Sequence, residues 1–552
     1  MRKTGSYLTK GLFILLFMVI LGSGFVLYLT GYTPATTLSG AYVKETLQLP
    51  EGKREKLAGI GSGSLFSEIE KIYNQDFPLR PVAIKVNNTI DFLQGKSSNT
   101  AVYIGKNHEL YESEYLWDYS VASTVWDGRA NRETIRSLVE KLSGIRDAFR
   151  KEGKHIYVLI TPNKTNFSED NIPEEVRQIK AQNPNGKRNI EVLKEYFDEY
   201  QIPYFDSSDY LRDSLPKGVI PFYRSGIHYS WAAGYYIARE LFARIEEETG
   251  LTMPHFDLTV KEQSETVFPN RDLFDLLNTI PEITGSVYRD QPQQQVYIEN
   301  MEASPVSILM QGGSFLGPYV DMNNRYPGIF RWFDIIQNTM FLPQGDAMVT
   351  LSSIRDVDLS RIKNDQLFVF EINETSAQSM SFGFIDYLSE YLGTADLTSV
   401  KPYGLVFTDA AVLMATQPYG LYDLSAYQLP WRFTAKQFGC RLENGDIFTN
   451  GLVIQVTVTD DLKASAKDGR VAIDVTVNGV HIGEYEPDEN GIIRVSAADL
   501  TACRREDGTC LIDCAVNSSF IPHELNPESP DTRELSVILH SITAGLEEDK
   551  GE

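Results

Sequence analysis

The sequence is poor in histidine, cysteine and basic residues, and each shortage narrows the range of functions. It has seven histidines and four cysteines, with no Cys-x-x-Cys pair, so we expect neither a zinc site nor another metal centre. Lys and Arg number 51 against 75 Asp and Glu, which gives a formal net charge of -24. A chain this acidic is drawn neither to nucleic acid nor to an anionic membrane surface by its overall charge. No motif indicates a cofactor.

The few cysteines lie together in the last quarter of the chain. Outside the cytoplasm they would form one or two disulfides, and four buried thiols fit the pattern equally well. They are Cys440, Cys503, Cys510 and Cys514.

Long apolar runs are absent except at the N-terminus. Residues 11–30 carry no charge, and twenty residues match the thickness of the hydrocarbon core of a bilayer. Arg2, Lys3 and Lys10 precede the run and set the N-terminus on the cytoplasmic side. The pattern predicts an uncleaved signal anchor within residues 1–31, with a cleaved signal peptide as the alternative. In either case the bulk of the chain lies outside the cytoplasm, and an uncleaved anchor attaches it to the cell membrane by a single pass.

The central part of the chain alternates helices with short apolar strands. This alternation predicts an α/β domain with a mainly parallel sheet over residues 76–400, after a linker and an approach helix in residues 32–75. The predicted helices cover residues 134–151, 189–200 and 230–248. The predicted strands cover residues 155–162, 203–205, 306–310 and 367–372, and residues 102–111 form a hairpin.

The pattern changes after residue 400. Short alternating strands follow one another, and Asn478-Gly479 joins two of them in a tight hairpin. We expect strands in residues 453–459, 471–482, 491–496, 510–516 and 535–542. Their spacing predicts a β-sandwich over residues 401–552.

One serine stands where a nucleophile would. The buried strand 306–310 is followed by Gly312, Gly313 and Ser314, and a helix can begin at Phe315. A serine on a sharp strand-to-helix turn has an exposed hydroxyl, with backbone N–H groups nearby that suit an oxyanion hole. The alternative is a Gly-rich turn with a helix-capping serine.

A serine nucleophile needs a base, and His228 is the best placed of the seven histidines. It lies on a loop just before the helix that starts at Ser230. From there an imidazole reaches a neighbouring loop at the same edge of the sheet. The alternative is a histidine that only hydrogen-bonds near the helix start.

Five short motifs in order resemble one family. They are Gly226-Ile-His228-Tyr-Ser230, Gly312-Gly-Ser-Phe315, the hairpin 102–111, the strand end 160–164 with Lys164, and the strand end 370–374. Together they resemble the SGNH-hydrolase-like domain of the alginate O-acetyltransferase family (AlgX/AlgJ type) over residues 75–390. The resemblance implies a three-layer α/β fold, Ser314 as nucleophile, His228 as general base and an acetyl-serine intermediate.

The same resemblance implies oxyanion donors, an acceptor and a partner. The N–H groups of Ser314 and Gly313 would bind the oxyanion, and a polysaccharide hydroxyl would take the acetyl group. One span cannot carry acetyl groups across a membrane, so the family implies a separate multi-span acyltransferase (MBOAT type). The alternative functions are a non-catalytic glycan-binding protein and an acetyl esterase.

The sequence departs from the family pattern at two carboxylates. The family has Asp two residues before the histidine and Asp before the serine, and this chain has Gly226 and Gly313. Another carboxylate would have to orient His228, or the site would work as a slower Ser-His dyad, or the domain would only bind glycan. The candidate carboxylates at strand ends are Asp206, Asp209 and Glu371. Three further residues lie near the two motifs: Arg224, Tyr319 and Arg325. They would contact the substrate, or they serve only packing and surface charge.

The C-terminal segment carries a second resemblance. Residues 517–522 and 531–539 are similar to the β-sandwich ends attached to bacterial cell-surface glycan enzymes, which implies a carbohydrate-binding module. The alternative for these residues is structural, with Asp531 and Arg533 in a buried contact that helps to hold strand ends together.

Overall fold

A computed structural model describes most of the chain from residue 78 onward. The described ranges are 78–121, 131–264, 269–344, 348–393, 400–423, 429–505, 508–527, 529 and 531–545, with scattered positions between residues 11 and 67. Within these residues no helix is both long and apolar enough to cross a bilayer. The predicted anchor and approach helix lie mostly outside them, so both stay predictions.

A seven-stranded sheet forms the centre of the first part of the chain. Its strands are β3 (His155–Thr161), β4 (Tyr204–Asp206), β7 (Ser304–Gly312), β8 (Phe330–Gln337), β9 (Met340–Leu342), β10 (Val349–Thr350) and β11 (Leu367–Asn373). Their order in the sheet is β10-β9-β8-β7-β11-β3-β4. The five strands from β8 to β4 run parallel, while β9 and β10 are antiparallel to their neighbours. The mainly parallel sheet is as predicted.

Helices cover both faces of this sheet, and each face has its own apolar core. They are α1 (Arg80–Leu93), α2 (Ser113–Tyr119), α3 (Arg132–Lys151), α4 (Glu174–Gln182), α5 (Asn189–Tyr200), α6 (Ser207–Asp213), α7 (Trp231–Thr249), α8 (Asp272–Leu276), α9 (Pro281–Thr284), α10 (Gly317–Arg325) and α11 (Phe384–Leu392). The three-layer architecture is therefore confirmed. Helix α3 buries the apolar positions that its 3.6-residue period predicts, from Ile135 to Phe149.

Helices α7 and α10 approach each other closely on one face. A Cβ atom on Gly234 would lie 2.3 Å from Cγ of Pro318, so only glycine fits between them. This contact brings the helix that follows His228 against the helix that follows Ser314.

Two hairpins lie outside the main sheet. The first is the predicted hairpin and joins β1 (Val102–Ile104) to β2 (Leu110–Glu112). Asn107 in its turn has a left-handed backbone conformation. The second is a long ribbon of β5 (His255–Gln263) and β6 (Gln293–Glu302), which the sequence pattern had not indicated. The connection between β5 and β6 carries α8 and α9.

The C-terminal part is an all-β region, as predicted. Strand β13 pairs with β19 near its start and with β18 along the rest, so two halves share one strand and enclose one apolar core. The strands are β12 (Tyr419–Leu421), β13 (Arg432–Glu443), β14 (Leu452–Thr457), β15 (Ile473–Val477), β16 (Val480–Tyr485), β17 (Ile492–Val495), β18 (Thr509–Val516) and β19 (Ile538–Ala544). Asn478 and Gly479 have positive φ angles of 52° and 81° at the predicted hairpin turn.

Buried groups join the two parts. Trp332 of β8 packs into the core of the β region, and the backbone N–H of Val400 donates to Oδ1 of Asn364 at 3.0 Å. In the β region itself the four cysteines are buried free thiols. Asp531 and Arg533 are in contact as the structural interpretation predicts, at 2.7 Å, but the pair is partly exposed rather than buried, with 25% and 37% of the two side chains accessible.

Candidate active site

Ser314 lies at the carboxyl end of β7, in the middle of the parallel sheet. A short 3-10 turn, Ser314–Leu316, leads directly into α10 and leaves the serine side chain exposed. The turn is fixed from β8, because the N–H of Asn338 donates to the carbonyl of Gly312 at 2.8 Å. The nucleophile candidate thus stands on a rigid edge of the sheet, where ligands bind in folds of this class.

His228 reaches Ser314 from the loop before α7. Its Nε2 lies 2.7 Å from the Ser314 Oγ, and its ring packs against the ring of Phe315 at a centroid distance of 4.8 Å. The hydroxyl of Tyr229 donates to the carbonyl of Phe315, which ties the histidine loop to the serine turn. Ser230 caps α7 by accepting from the N–H of Ala233 at 3.0 Å. The helix start therefore orients the imidazole.

Asp272 completes the line of hydrogen bonds, and no sequence motif had indicated it. Its Oδ2 lies 2.5 Å from Nδ1 of His228. Its Oδ1 accepts from the N–H groups of Ile227 at 2.9 Å and Leu273 at 2.7 Å. An ionised Asp272 holds the proton on Nδ1, so that Nε2 is the ring nitrogen that accepts the proton of Ser314.

Gly226 now has a physical explanation. A Cβ atom at this position would lie 2.7 Å from the carbonyl oxygen of Pro269, which belongs to the turn that leads to Asp272. The segment that brings the carboxylate therefore fills the space of a side chain at position 226.

The structure corrects the predicted carboxylate partners of His228. Asp206 caps α6 through the N–H of Ser208 at 3.0 Å and pairs with Lys194 at 2.7 Å. Asp209 is exposed and pairs with Arg212 at 2.9 Å. Each carboxylate pairs with a basic side chain of its own, and neither contacts the imidazole of His228.

Glu371, the third predicted partner, lies beneath the serine turn instead. Its Oε2 accepts from the N–H of Gly313 at 2.6 Å, and its Oε1 accepts from the hydroxyl of Thr161. The Gly313 N–H, which we expected in the oxyanion hole, is therefore engaged by a carboxylate. The Cβ of a residue at position 312 would lie 2.5 Å from the Cβ of Glu371, so only glycine fits there.

Burial raises the pKa of Glu371 above its ordinary value of 4.5, although its two hydrogen bonds and the charge of His228 oppose the rise. A carboxyl whose pKa is raised by folding contributes most to stability below its ordinary pKa and loses that contribution as the pH rises. We expect Glu371→Gln to gain stability relative to the parent as the pH increases above about 4.5, by up to ~1.4 kcal/mol per pH unit. Denaturant unfolding at several pH values measures this, with exposed Glu282→Gln as the control. Parallel curves for parent and Glu371→Gln would contradict it.

Lys164 holds the histidine loop from inside the protein. Its buried ammonium contacts Oε1 of Glu109 at 2.8 Å. It also donates to four backbone carbonyls, those of Leu110, Tyr223, Arg224 and Gly226. Burial lowers the pKa of Lys164, and Glu109 opposes the decrease. The motif lysine is thus a cross-link between the β1–β2 hairpin and the loop of His228.

Removal of this cross-link should destabilise the domain. Lys164→Met leaves Glu109 charged and buried without its partner, so we expect a loss of about 3 to 5 kcal/mol in the free energy of unfolding. The double variant Lys164→Met/Glu109→Gln should recover part of this loss, because it removes the unpaired charge. Denaturant unfolding midpoints test both. A double variant no more stable than Lys164→Met would show that charge burial is not the cause.

The other predicted substrate contacts have partners within the protein. Arg224 pairs with Asp290 and donates to the carbonyls of Asn107 and Val287. Tyr319 is fully buried in the core beside α7. Arg325 donates to Asp321 at 3.2 Å and to the carbonyl of Val296 at 3.0 Å. These contacts support packing roles for the three side chains.

A further acid near the site comes from β2. Burial raises the pKa of Glu112, as does the neighbouring Glu114, while the charge of His228 lowers it. No motif in the sequence had indicated this residue. Among the described residues, no group of three or more His, Cys, Asp or Glu is arranged to hold a metal ion.

Comparisons with known proteins bear on this domain. Residues 110–317 match the model of the family described as SGNH hydrolase-like domain, acetyltransferase AlgX. These residues include His228, Asp272 and Ser314. Among curated proteins, none matches the sequence significantly.

Solved structures give weaker likenesses. The O-acetyltransferase domain of Pseudomonas putida AlgJ is 11% identical at a TM-score of 0.34, covering 52% of this chain and 99% of that one. Pseudomonas aeruginosa AlgX is also 11% identical, at a TM-score of 0.35, covering 81% of this chain and 95% of that one. Bacillus cereus PatB1 is 8% identical at a TM-score of 0.29, covering 46% and 93%. At these values the solved structures carry no argument, and the family match is the finding that stands: residues 110–317 are similar to the SGNH hydrolase-like domain of the family described as acetyltransferase AlgX.

Proposed function

We propose that the chain is a membrane-anchored, extracytoplasmic O-acetyltransferase that transfers an acetyl group to a hydroxyl of a secreted or cell-wall polysaccharide. One observation carries the proposal. Asp272, His228 and Ser314 form a continuous line of hydrogen bonds, at 2.5 Å and 2.7 Å, that ends on an exposed serine.

The first half of the reaction loads the serine. The Ser314 Oγ attacks the carbonyl carbon of the acetyl donor while its proton passes to Nε2 of His228. Asp272 stabilises the imidazolium that forms. The bond to the donor's leaving group then breaks, the leaving group takes the proton from His228, and an acetyl ester remains on Ser314.

The second half transfers the acetyl group to sugar. His228, neutral again, accepts the proton of a polysaccharide hydroxyl as that oxygen attacks the acetyl-serine. The ester bond to Ser314 breaks, the serine oxygen regains a proton from His228, and the acetylated sugar leaves. In each half the N–H of Ser314 is the donor we assign to the oxyanion, since Glu371 binds that of Gly313.

The arrangement favours catalysis over glycan binding alone. A protein that only binds glycan has no need of an oriented imidazole, yet Asp272 is itself held by two backbone N–H groups. An esterase shares the same chemistry, with water in place of the sugar hydroxyl. The group that accepts the acetyl, a sugar hydroxyl or water, therefore distinguishes the acetyltransferase from the esterase.

The proposed location follows from the N-terminal segment. Residues 11–30 would anchor the chain in the membrane, with the bulk of it outside the cytoplasm. A multi-span acyltransferase of the MBOAT type would supply the acetyl groups. The family match over residues 110–317 supports the extracytoplasmic location.

The test uses the full chain in detergent, p-nitrophenyl acetate as donor and a panel of oligosaccharides from bacterial exopolysaccharides and cell walls. We expect p-nitrophenolate release to accelerate with the right oligosaccharide, and mass spectrometry to find an O-acetyl group on that sugar. Release of acetate alone with every acceptor would support the esterase. A folded protein that is never acetylated and releases nothing would overturn catalysis and leave glycan binding.

A further inference from the structure

Helix α1 has two different faces, and its outward face is unusually apolar. Val82, Val86, Ile90 and Leu93 follow one another at intervals of four, four and three residues, so they form one stripe along the helix. Their exposed fractions run from 37% for Val82 to 66% for Leu93. We call these four residues the α1 stripe.

The neighbouring helix carries a further exposed aliphatic side chain. Helix α9 packs against α1, and its Ile283 is 50% exposed. Isolated apolar side chains are common on protein surfaces, but four exposed aliphatic residues along one side of a helix indicate an interaction site.

The charge around the stripe indicates what it meets. Residues 78–96 carry Arg80, Lys85 and Lys96 against a single acid, Asp91, in a chain whose net charge is -24. An amphipathic helix with aliphatic residues on one side and basic residues around them is typical of helices that lie flat on an anionic membrane. An acidic polysaccharide would match the charge but not the aliphatic stripe. A second copy of this chain, meeting stripe to stripe, would match the aliphatic residues but bring the basic residues of the two copies together.

The position of α1 in the chain agrees with a membrane surface. It follows the predicted anchor and approach helix, with 49 residues between Thr30 and Arg80. A segment of this length, which we call the tether, is long enough for α1 to reach the membrane in which residues 11–30 would lie.

The inner face of α1 leads to the active site. Nδ2 of Asn88 donates to the carbonyl of Leu277 at 2.8 Å, and Oγ1 of Thr89 accepts from the N–H of Ile280 at 2.9 Å. Both partners follow α8 directly, and α8 begins with Asp272. Phe92 adds an edge contact with Phe274 of α8.

We propose that the α1 stripe lies on the anionic lipid surface of the membrane, so that the segment carrying Asp272 is held from the membrane side. The docking rests on the proposed function only for the tether, and it does not require acetyl transfer. It would fix the orientation of the serine turn relative to the bilayer.

The test places nitroxide spin labels on the full chain through Val86→Cys and Ile90→Cys, with Asn87→Cys as the matched control on the polar side. The four native cysteines are buried thiols, so each introduced cysteine is the accessible one. Collision with oxygen, which is concentrated in lipid, is compared with collision with a water-soluble nickel complex. The measurement is made in detergent, in phosphatidylcholine vesicles and in vesicles containing phosphatidylglycerol.

We expect the ratio of oxygen to nickel collisions at positions 86 and 90 to rise several-fold on phosphatidylglycerol vesicles, with little change at position 87. Equal ratios at the three positions would overturn the proposal. Labels shielded from both reagents, already in detergent, would also overturn it, because protein would then cover the stripe. Flotation of the chain with the vesicles reports the anchor separately, and turnover of p-nitrophenyl acetate reports the active site.

Discussion

Ser314→Ala should abolish acetyl transfer while the protein stays folded. The side chain is exposed, so its loss leaves no cavity, but the nucleophile is gone and no acetyl ester can form. In a serine hydrolase the loss of the nucleophile costs several orders of magnitude, and we expect at least about 10⁴-fold in kcat/KM here. Turnover of p-nitrophenyl acetate and the mass of the protein after exposure to donor measure the two effects.

The control for Ser314→Ala is Ser465→Ala, which removes a hydroxyl from an exposed helix end of the β region. It should keep full activity and the acetyl adduct. If Ser314→Ala still acquires an acetyl group and turns over at the parental rate, Ser314 is not the nucleophile.

Asp272→Asn should lower activity by about 10⁴-fold, which is the effect of the matching change in the serine-protease example. An asparagine keeps the size of the side chain, but its Nδ2 donates towards Nδ1 of His228. The imidazole proton then moves to Nε2, which no longer accepts the proton of Ser314. Circular dichroism should show an unchanged fold, and kcat rather than KM should carry the loss.

Two sets of variants separate this prediction from the sequence-based one. Asp206→Asn and Asp209→Asn should remain within about threefold of the parent, because these acids pair with Lys194 and Arg212 and neither contacts His228. Gly226→Asp should not restore Asp272→Asn, because the new side chain meets the carbonyl of Pro269. Full activity in Asp272→Asn, or restoration by Gly226→Asp, would contradict the assignment of Asp272.

The parts of the fold that local patterns determine were predictable. Residues 189–200 were predicted as a helix, and the helix is Asn189–Tyr200. Strand β11 and the Asn478-Gly479 hairpin follow in the same way from a buried apolar run and from turn chemistry. The β5–β6 ribbon has weaker alternation and charged residues on its open side, so its pattern does not stand out.

The site was predictable only where its residues adjoin a glycine-rich turn or a helix start. Ser314 and His228 carry such local signals. Asp272 has no local signal, because its role depends on the long-range fold of the β5–β6 insertion onto the histidine loop. Gly226 is the one local feature related to Asp272, because a glycine at that position leaves room for the segment that carries the carboxylate.

The tight contact between position 226 and the Pro269 carbonyl also bears on how such sites change over generations. A carboxylate two residues before the histidine and the turn that carries Asp272 need the same space, so no single ancestor can hold both in these positions. A lineage must therefore give up one acid, or displace the inserted segment, before it adopts the other arrangement. Once Gly226 and Asp272 are established together, reversion requires two coordinated changes, and descent tends to preserve the pair.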